Sequence, residues 1–517
     1  MLARLKSAAV LGIDAYLVDV EVDLSNGLPY FTTVGLPQGA VKEAKERVTA
    51  ALVNSGFEYP LRRITVNLAP ADVRKEGSGF DLAVALGILA ASEQIQASQL
   101  EGVVILGELG LQGDLRPVRG ALPMAIAARA AGAREVILPA VNVAEAAVVE
   151  GLVVTGADSL LQVTRHLGGQ CLIAPAASGS SCCHDTASFD GVDFAEVRGQ
   201  LAAKRALEVA AAGAHNVLLI GPPGAGKTML ARRMPSILPV APLDEALEIT
   251  KVHSVAGLLP PGTALIRNRP FRAPHHTISD AGLVGGGSSP RPGEVSLAHG
   301  GVLFLDELPE FHRHVLEVLR QPLEDGVVTL SRAAARLTFP ARFILIAAMN
   351  PCPCGHLGSP LHPCSCGPHL VGRYHARISG PLLDRIDIHL QVPAVPYADL
   401  GQEGPGESSA AIRSRVEAAR ERQRERFRVR SGMHANAHMG SREVRRHCRL
   451  VPEVTEILRA AVERLGLSAR GCHRVLKLAR TIADLAAVEE IGAMHVREAI
   501  QYRALDVRGC VDGPRYA

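Results

Sequence analysis

Gly221-Pro222-Pro223-Gly224-Ala225-Gly226-Lys227-Thr228 follows an apolar run, Val217 to Ile220, and precedes a helical pattern. Chemistry on a phosphate is what this spacing serves. The glycines let backbone N–H groups curl around phosphate oxygens, and the N-terminus of the following helix favours negative charge. Lys227 is spaced to reach the β and γ oxygens of a nucleoside triphosphate, and Thr228 to hold Mg²⁺ through its hydroxyl. Binding of ATP with Mg²⁺ is the expectation. Downstream, Val302-Leu303-Phe304-Leu305 ends in Asp306-Glu307. An apolar strand that delivers two adjacent carboxylates suits a division of labour, Asp306 binding Mg²⁺ through water and Glu307 polarising the attacking water. A further apolar run, Phe343 to Met349, ends at Asn350, an amide placed to orient that water or the γ-phosphate from an adjacent strand.

Directly after Asn350 come Cys352-Pro353-Cys354 and Cys364-Ser365-Cys366, two C-x-C pairs separated by Gly-, Pro- and His-rich sequence. Four thiolates in one short loop suit tetrahedral zinc. The spacing departs from the common C-x₂₋₄-C knuckle, so the reading rests on clustering and on a reducing compartment that disfavours disulfides. His356, His362 and His369 are available to replace one ligand; free buried cysteines or a redox pair are the alternatives. Cys182-Cys183 is a further adjacent pair, for which a solvent-exposed role is expected.

The elements that must position these residues belong to a chain of 517 residues with a net charge of +3, ten cysteines, 3% aromatics and no tryptophan. That length divides into two to four units, each able to bury a core. So few aromatics make base stacking an improbable main mode of nucleic-acid binding. Asp14 and Asp19 interrupt any secretory apolar region near the start, and a cytoplasmic location is expected. The longest apolar stretch, Leu82 to Ala91, is too short to span a bilayer and reads as a buried helix, so no membrane partner is expected.

The periodicities give an α/β chain. Through residues 1–167, short β-like runs (Tyr16 to Val22, Ile64 to Leu68, Val103 to Leu106, Glu135 to Leu138) alternate with alanine-rich helical segments. Residues 168–188, rich in Gly, Ser, Ala and Pro, read as a linker. Residues 189–397 carry the three buried runs already described, as in a parallel sheet with crossover helices and the phosphate loop at a strand's carboxyl end. The long Gly/Pro-rich stretch between that loop and Val302 must contain an insertion. Glu324-Asp325-Gly326, then Val327 to Arg332 and Arg336 to Phe339, read as a β-hairpin with its tip around Arg332 to Ala335. Residues 398–510 open on a polar connection, Gly401 to Ser409, and continue as a helical unit to about Val507, before a tail. Arg413 to Arg449 is arginine-rich with Glu417, Glu421 and Glu425 interleaved, as in a solvated helix; a phosphate-contacting surface is the alternative.

Together these segments resemble an AAA+ ATPase, with Asn350 at the sensor-1 position. Phe271-Arg272-Ala273-Pro274-His275-His276-Thr277, Ser379-Gly380-Pro381-Leu382-Leu383-Asp384-Arg385-Ile386-Asp387 and Ala479-Arg480-Thr481-Ile482-Ala483-Asp484-Leu485 narrow the resemblance to the magnesium-chelatase-like YifB/ComM family. It covers nearly the whole chain. The likeness implies an AAA+ P-loop parallel sheet with a helical lid, assembled as a ring, a hexamer, with nucleotide between subunits. Arg385 would then be an arginine finger offered to a neighbour's γ-phosphate; an internal ion pair with Asp384 or Asp387 is the alternative. Arg470, before a helix over Val475 to Leu485, matches the sensor-2 position of the lid, with Arg474 one turn on as the competing candidate. In this branch the hairpin and the insertion bearing His275 and His276 project toward the pore, which makes Arg332 and Arg336 candidates for DNA-phosphate contact rather than solvated arginines of an edge hairpin. The two histidines, adjacent on an extended segment, should diverge and so hydrogen bond or pack rather than bind metal.

Leu68 to Leu82 resembles the catalytic stretch of Lon-type protease domains, an S5-like α/β fold, but Gly79 stands at the serine position and Leu122 at the lysine position. Without lysine beside serine no base activates a nucleophile. Ser78 is expected to serve a turn or cap, and the domain to serve as a platform for oligomerisation or DNA. Of a ring ATPase moving on DNA, a metal-chelatase motor and an ATP-dependent protease, the last lacks its dyad and the second would need large partner subunits. The resemblance therefore implies an ATP-dependent DNA helicase for branch migration in homologous recombination, acting on single-stranded or branched DNA, of the kind used during uptake of transforming DNA.

Overall fold

The computed structural model describes residues 1–37, 39–73, 75, 77–177, 191–287, 290–332, 335–359, 362–394, 406–428 and 433–503, without the side chains of 40, 42, 332 and 335. Cys182 and Cys183, most of the expected linker, the start of the polar connection and the tail lie outside the described residues.

Along Asp14–Ser25, Val18, Val20, Val22 and Leu24 are buried and alternate with Asp19, Glu21 and Asp23. This period of two belongs to a strand with one face on a core. It pairs antiparallel with Leu2–Leu11 and with Arg63–Ala69. The full sheet has seven strands, in the spatial order Tyr30–Val34, Arg63–Ala69, Asp14–Ser25, Leu2–Leu11, Val103–Ile105, Glu135–Pro139 and Val153–Ala157, the last three parallel. The strands Leu2–Leu11, Tyr30–Val34 and Val153–Ala157 were not among the expected runs. Helix Asp81–Ala91, buried along its whole length, lies on this sheet. Gly87 permits the approach, since a Cβ there would fall 2.5 Å from Val22 Cγ2.

The second sheet is parallel and five-stranded, in the order Phe271–Arg272, Val302–Leu305, Ile344–Met349, Val217–Ile220, Ile388–Gln391. Its three central strands are continuous buried runs, as expected of strands covered on both faces. Sequence periodicity located those three. The two edge strands are too short to carry a period. The hairpin forms as expected, Val327–Arg332 against Ala335–Pro340, and is a two-stranded ribbon separate from the main sheet. Residues 333 and 334 of its tip lie outside the described residues.

Helix Leu243–Ala256, from the insertion, joins the two units. Ser254 O accepts from Gly120 N at 3.1 Å, and Ser254 Oγ donates to Glu145 at 2.5 Å. No helix among the described residues is long and apolar enough to cross a membrane.

The C-terminal unit packs helices Ser409–Phe427 and Ala469–Leu485 on Leu201–Gly213. Two expectations change here. The second of these helices starts at Ala469, where Ser468 Oγ caps it by accepting from Gly471 N at 3.1 Å, so Arg470 sits inside the helix rather than before it. The arginine-rich helix is not a free solvated one either. Arg420 is buried and donates twice to Ala211 O, at 2.9 and 3.1 Å, while Arg426 forks onto Asp484 at 2.6 and 2.7 Å. Charge pattern along one helix cannot reveal acceptors on its neighbours.

Candidate functional site

Parallel register brings the sequence-distant candidates to one sheet edge. Ile220 pairs with Met349 and Leu305 with Ala347, so Gly221, Asn350 and Asp306 leave neighbouring strand ends together. Gly221 must be glycine, because a Cβ would lie 2.2 Å from Val392 O. At Gly224, with φ 75°, a Cβ would meet nothing within 4 Å. The space beside Gly224 is thus open, and helix Lys227–Ile237 begins three residues on, which leaves room for a phosphate group at a helix N-terminus.

Lys227 Nζ donates to Gly221 O at 2.7 Å, Pro222 O at 2.9 Å and Asn350 Oδ1 at 3.1 Å. Burial lowers its pKa, opposed by the charges of Asp306 and Glu307. Thr228 Oγ1 donates to Asp306 Oδ2 at 2.7 Å. Hydroxyl and carboxylate thus converge as a hard oxygen pair of the kind Mg²⁺ takes. Glu307 has a left-handed backbone, φ 52°, and an exposed side chain, and its backbone N donates to Asp306 Oδ1 at 3.0 Å.

His276 Nδ1 stands 3.7 Å from Glu307 Oε2. No local pattern in the sequence signals this neighbour, and adjacency on an extended segment predicts that the two histidines diverge. Their rings lie 4.1 Å apart instead. The strand ends at Arg272 and the chain turns, Ile278 N donating to His275 O at 3.0 Å, so strand alternation no longer applies.

Arg385 stands at the opposite end of the sheet. Its carbonyl accepts from Asn216 Nδ2 at 3.0 Å, and Asn216 precedes the very strand that ends at Gly221. At about 3.3 Å per residue the two ends are roughly 16 Å apart. The guanidinium donates to Pro381 O at 2.8 Å and pairs with Glu324, and its Nε is buried without a partner among the described residues. The internal pair is therefore with Glu324, not with Asp384 or Asp387. Arg470, exposed, has Nη2 4.0 Å from Glu324 Oε1. Arg474 lies 3.2 Å from Asp387. Both thus stand with Arg385, away from Lys227.

Asp387 is a buried anchor for this end. Burial alone would raise its carboxyl, but His215 at 3.1 Å and the charge of Arg474 outweigh that and hold it well below the usual range. Its stabilisation is present above the unfolded pKa near 4 and is lost as pH falls through the lower folded value. Asp387→Ala, which strands Arg474 and His215 without their acceptor, is expected to cost about 3–5 kcal/mol. A thermal midpoint within a degree of the unmutated chain's in differential scanning fluorimetry would contradict this.

In the N-terminal unit Gly79 faces Val118 and Leu122 is fully buried, its N–H on Glu145 at 3.2 Å. Ser78 Oγ donates to Glu108. Neither position that holds serine or lysine in Lon-type domains carries a reactive group. The Sγ atoms of Cys352, Cys354, Cys364 and Cys366 gather within 4.8 Å of one another, an arrangement that could hold a metal ion; His356, His362 and His369 are not part of the group.

A parallel sheet whose middle strand ends at an asparagine, flanked on one side by the strand that opens into the phosphate loop and on the other by the strand that ends in the acid pair, defines a P-loop ATPase of the AAA+ type. Family models for magnesium chelatase subunit ChlI match residues 20–142 and 193–400, and one for its C-terminal part matches 406–503. The chain is 47% identical over 517 residues to competence protein ComM of Haemophilus influenzae, covering 98% of each. It is 47% identical over 511 residues to YifB of Salmonella typhimurium, covering 98% of this chain and 97% of that one. A 154-residue stretch is 34% identical to Lon protease 2 of Bacillus subtilis, 27% of this chain and 26% of that protein. The chain belongs to the magnesium-chelatase-like YifB/ComM family.

Proposed function

We propose that this chain is the subunit of a ring, a hexamer, that hydrolyses ATP to drive strands of single-stranded or branched DNA past its pore, as a helicase for branch migration in recombination. The observation that carries the reading is the place of the ribbon Val327–Pro340. It is spliced between the strand that ends at Asp306 and Glu307 and the strand that ends at Asn350. The ribbon is thus part of the stretch of chain that links the acid pair to the asparagine strand, with Arg332 ending its first strand and Arg336 exposed on its second, and these are the two residues proposed to meet DNA phosphates. Competence is what the name of the Haemophilus relative records, and uptake of transforming DNA is the setting this suggests. A reducing cytoplasm suits the free cysteines.

Within the site, Lys227 and the loop amides hold the phosphates and Asn350 and Glu307 orient and polarise the attacking water. Thr228 and Asp306 would hold Mg²⁺, which supplies charge neutralisation at the β and γ oxygens. Arg385, too far from its own loop, is offered to the nucleotide of the next subunit, with Arg470 beside it. Glu324 parks Arg385 until that phosphate arrives.

The DNA part is tested by Arg332→Ala with Arg336→Ala. Basal ATPase should persist while DNA binding weakens, and the slope of log K against log salt should become shallower by about 0.7–0.9 for each phosphate that an arginine no longer neutralises. An unchanged slope and affinity would remove the ribbon from the DNA path.

A further inference from the structure

We infer that Cys352, Cys354, Cys364 and Cys366 hold one Zn²⁺, and that this metal braces the nucleotide site from behind. The sulfurs stand 3.3 Å (Cys352 to Cys354) and 3.6 Å (Cys352 and Cys354 to Cys364) apart. A disulfide would need about 2.05 Å. Tetrahedral zinc with Zn–S near 2.3 Å places its sulfurs about 3.8 Å apart, close to what is observed. Backbone amides turn toward the cluster: Leu357 N donates to Cys352 Sγ at 3.3 Å and Cys366 N to Cys364 Sγ at 3.4 Å. Such donors are the outer hydrogen bonds that spread the charge of metal-bound thiolates. An all-sulfur site selects zinc against the Mg²⁺ that serves the nucleotide.

The placement gives the metal its task. Cys352 lies two residues beyond Asn350, whose Oδ1 accepts from Lys227. Gly355, between the two cysteine pairs, presses on the phosphate loop, since a Cβ there would fall 2.5 Å from Pro223 Cδ. Pro351 O lies 2.9 Å from His375 Nε2, on the helix Pro368–His375 that begins just after Cys366. One ion would thus fasten the exit of the asparagine strand to the start of that helix, with the phosphate loop resting on the knot. Without it, Asn350 and Pro223 lose their common support although every nucleotide-contacting side chain remains. The zinc assignment is independent of the DNA reading; the bracing role rests on the nucleotide site.

The full-length chain, purified without chelator, should contain one zinc per subunit by mass spectrometry, with an X-ray absorption first shell of four sulfurs at about 2.3 Å. Less than a tenth of an equivalent in a folded sample would overturn the site, and a shell containing nitrogen would overturn the four-cysteine set. Cys364→Ser with Cys366→Ser should lose the metal and bind a fluorescent ATP analogue at least about tenfold more weakly, with faster amide exchange at Gly221, Gly224, Ala225 and Gly226. Should that variant misfold, zinc withdrawn by chelator from the unmutated protein, with circular dichroism unchanged, gives the same comparison. Unaltered nucleotide affinity after zinc loss would overturn the brace, and a fall confined to DNA affinity would make the loop a DNA contact instead.

Discussion

Glu307→Gln is expected to lower the turnover of ATP by about 10²–10⁴-fold while ATP still binds and the ring still assembles. The amide keeps the shape of the side chain but cannot draw a proton toward itself. Nothing that holds the phosphates changes, because Lys227 is bonded to Gly221, Pro222 and Asn350, and Thr228 to Asp306. Glu307 itself contributes only its backbone N–H to that network, through Asp306. Single-turnover hydrolysis measured beside equilibrium nucleotide binding separates the two effects. A variant that hydrolyses within a few-fold of the unmutated rate would move the base elsewhere, and His276, 3.7 Å away, would be the first place to look.

Arg385→Ala should cost about 10³–10⁵ in turnover, the range for removing an arginine that meets transition-state charge. In the proposed ring, its position would make the effect intersubunit. The residue lies at the strand end bonded to Asn216, whereas its own phosphate loop leaves the other end. Mixed rings of Arg385→Ala and Lys227→Ala, each inactive alone, should therefore recover activity at interfaces where an intact loop meets an intact arginine. Failure to recover in rings shown to exchange subunits would contradict the assignment. Glu324→Gln is a milder companion, since it releases Arg385 from the carboxylate that holds it and should leave assembly intact.

How far the site was legible depended on range. The phosphate loop, the acid pair and Asn350 each sit where an apolar run ends, so local pattern located them, and the parallel register then gathered them without further information. The cysteine cluster was legible because its four thiols lie close together in sequence, although their spacing is not that of a common knuckle. Residues that work through distant partners were not. Glu324 meets Arg385 across 61 positions, and Asp387 meets His215 across 172. Arg420 looked like part of a solvated basic stripe because its acceptor, Ala211 O, is a backbone atom 209 residues away. The histidine pair misled for the opposite reason: strand alternation was extended beyond a strand only two residues long. Family likeness placed Arg385 and Arg470 in the chain, but only the fold puts both on the face remote from Lys227.

The central claim is that ATP hydrolysis moves DNA, and strand exchange on a synthetic four-way junction, run beside forked and linear duplexes, tests it most directly. The unmutated chain should convert the junction in the presence of ATP and Mg²⁺, Glu307→Gln should bind it without converting it, and the ribbon double variant should hydrolyse ATP with little conversion. An unmutated protein that hydrolyses ATP yet neither binds DNA at low salt nor moves any of these substrates would contradict the account and favour a chelatase-type motor.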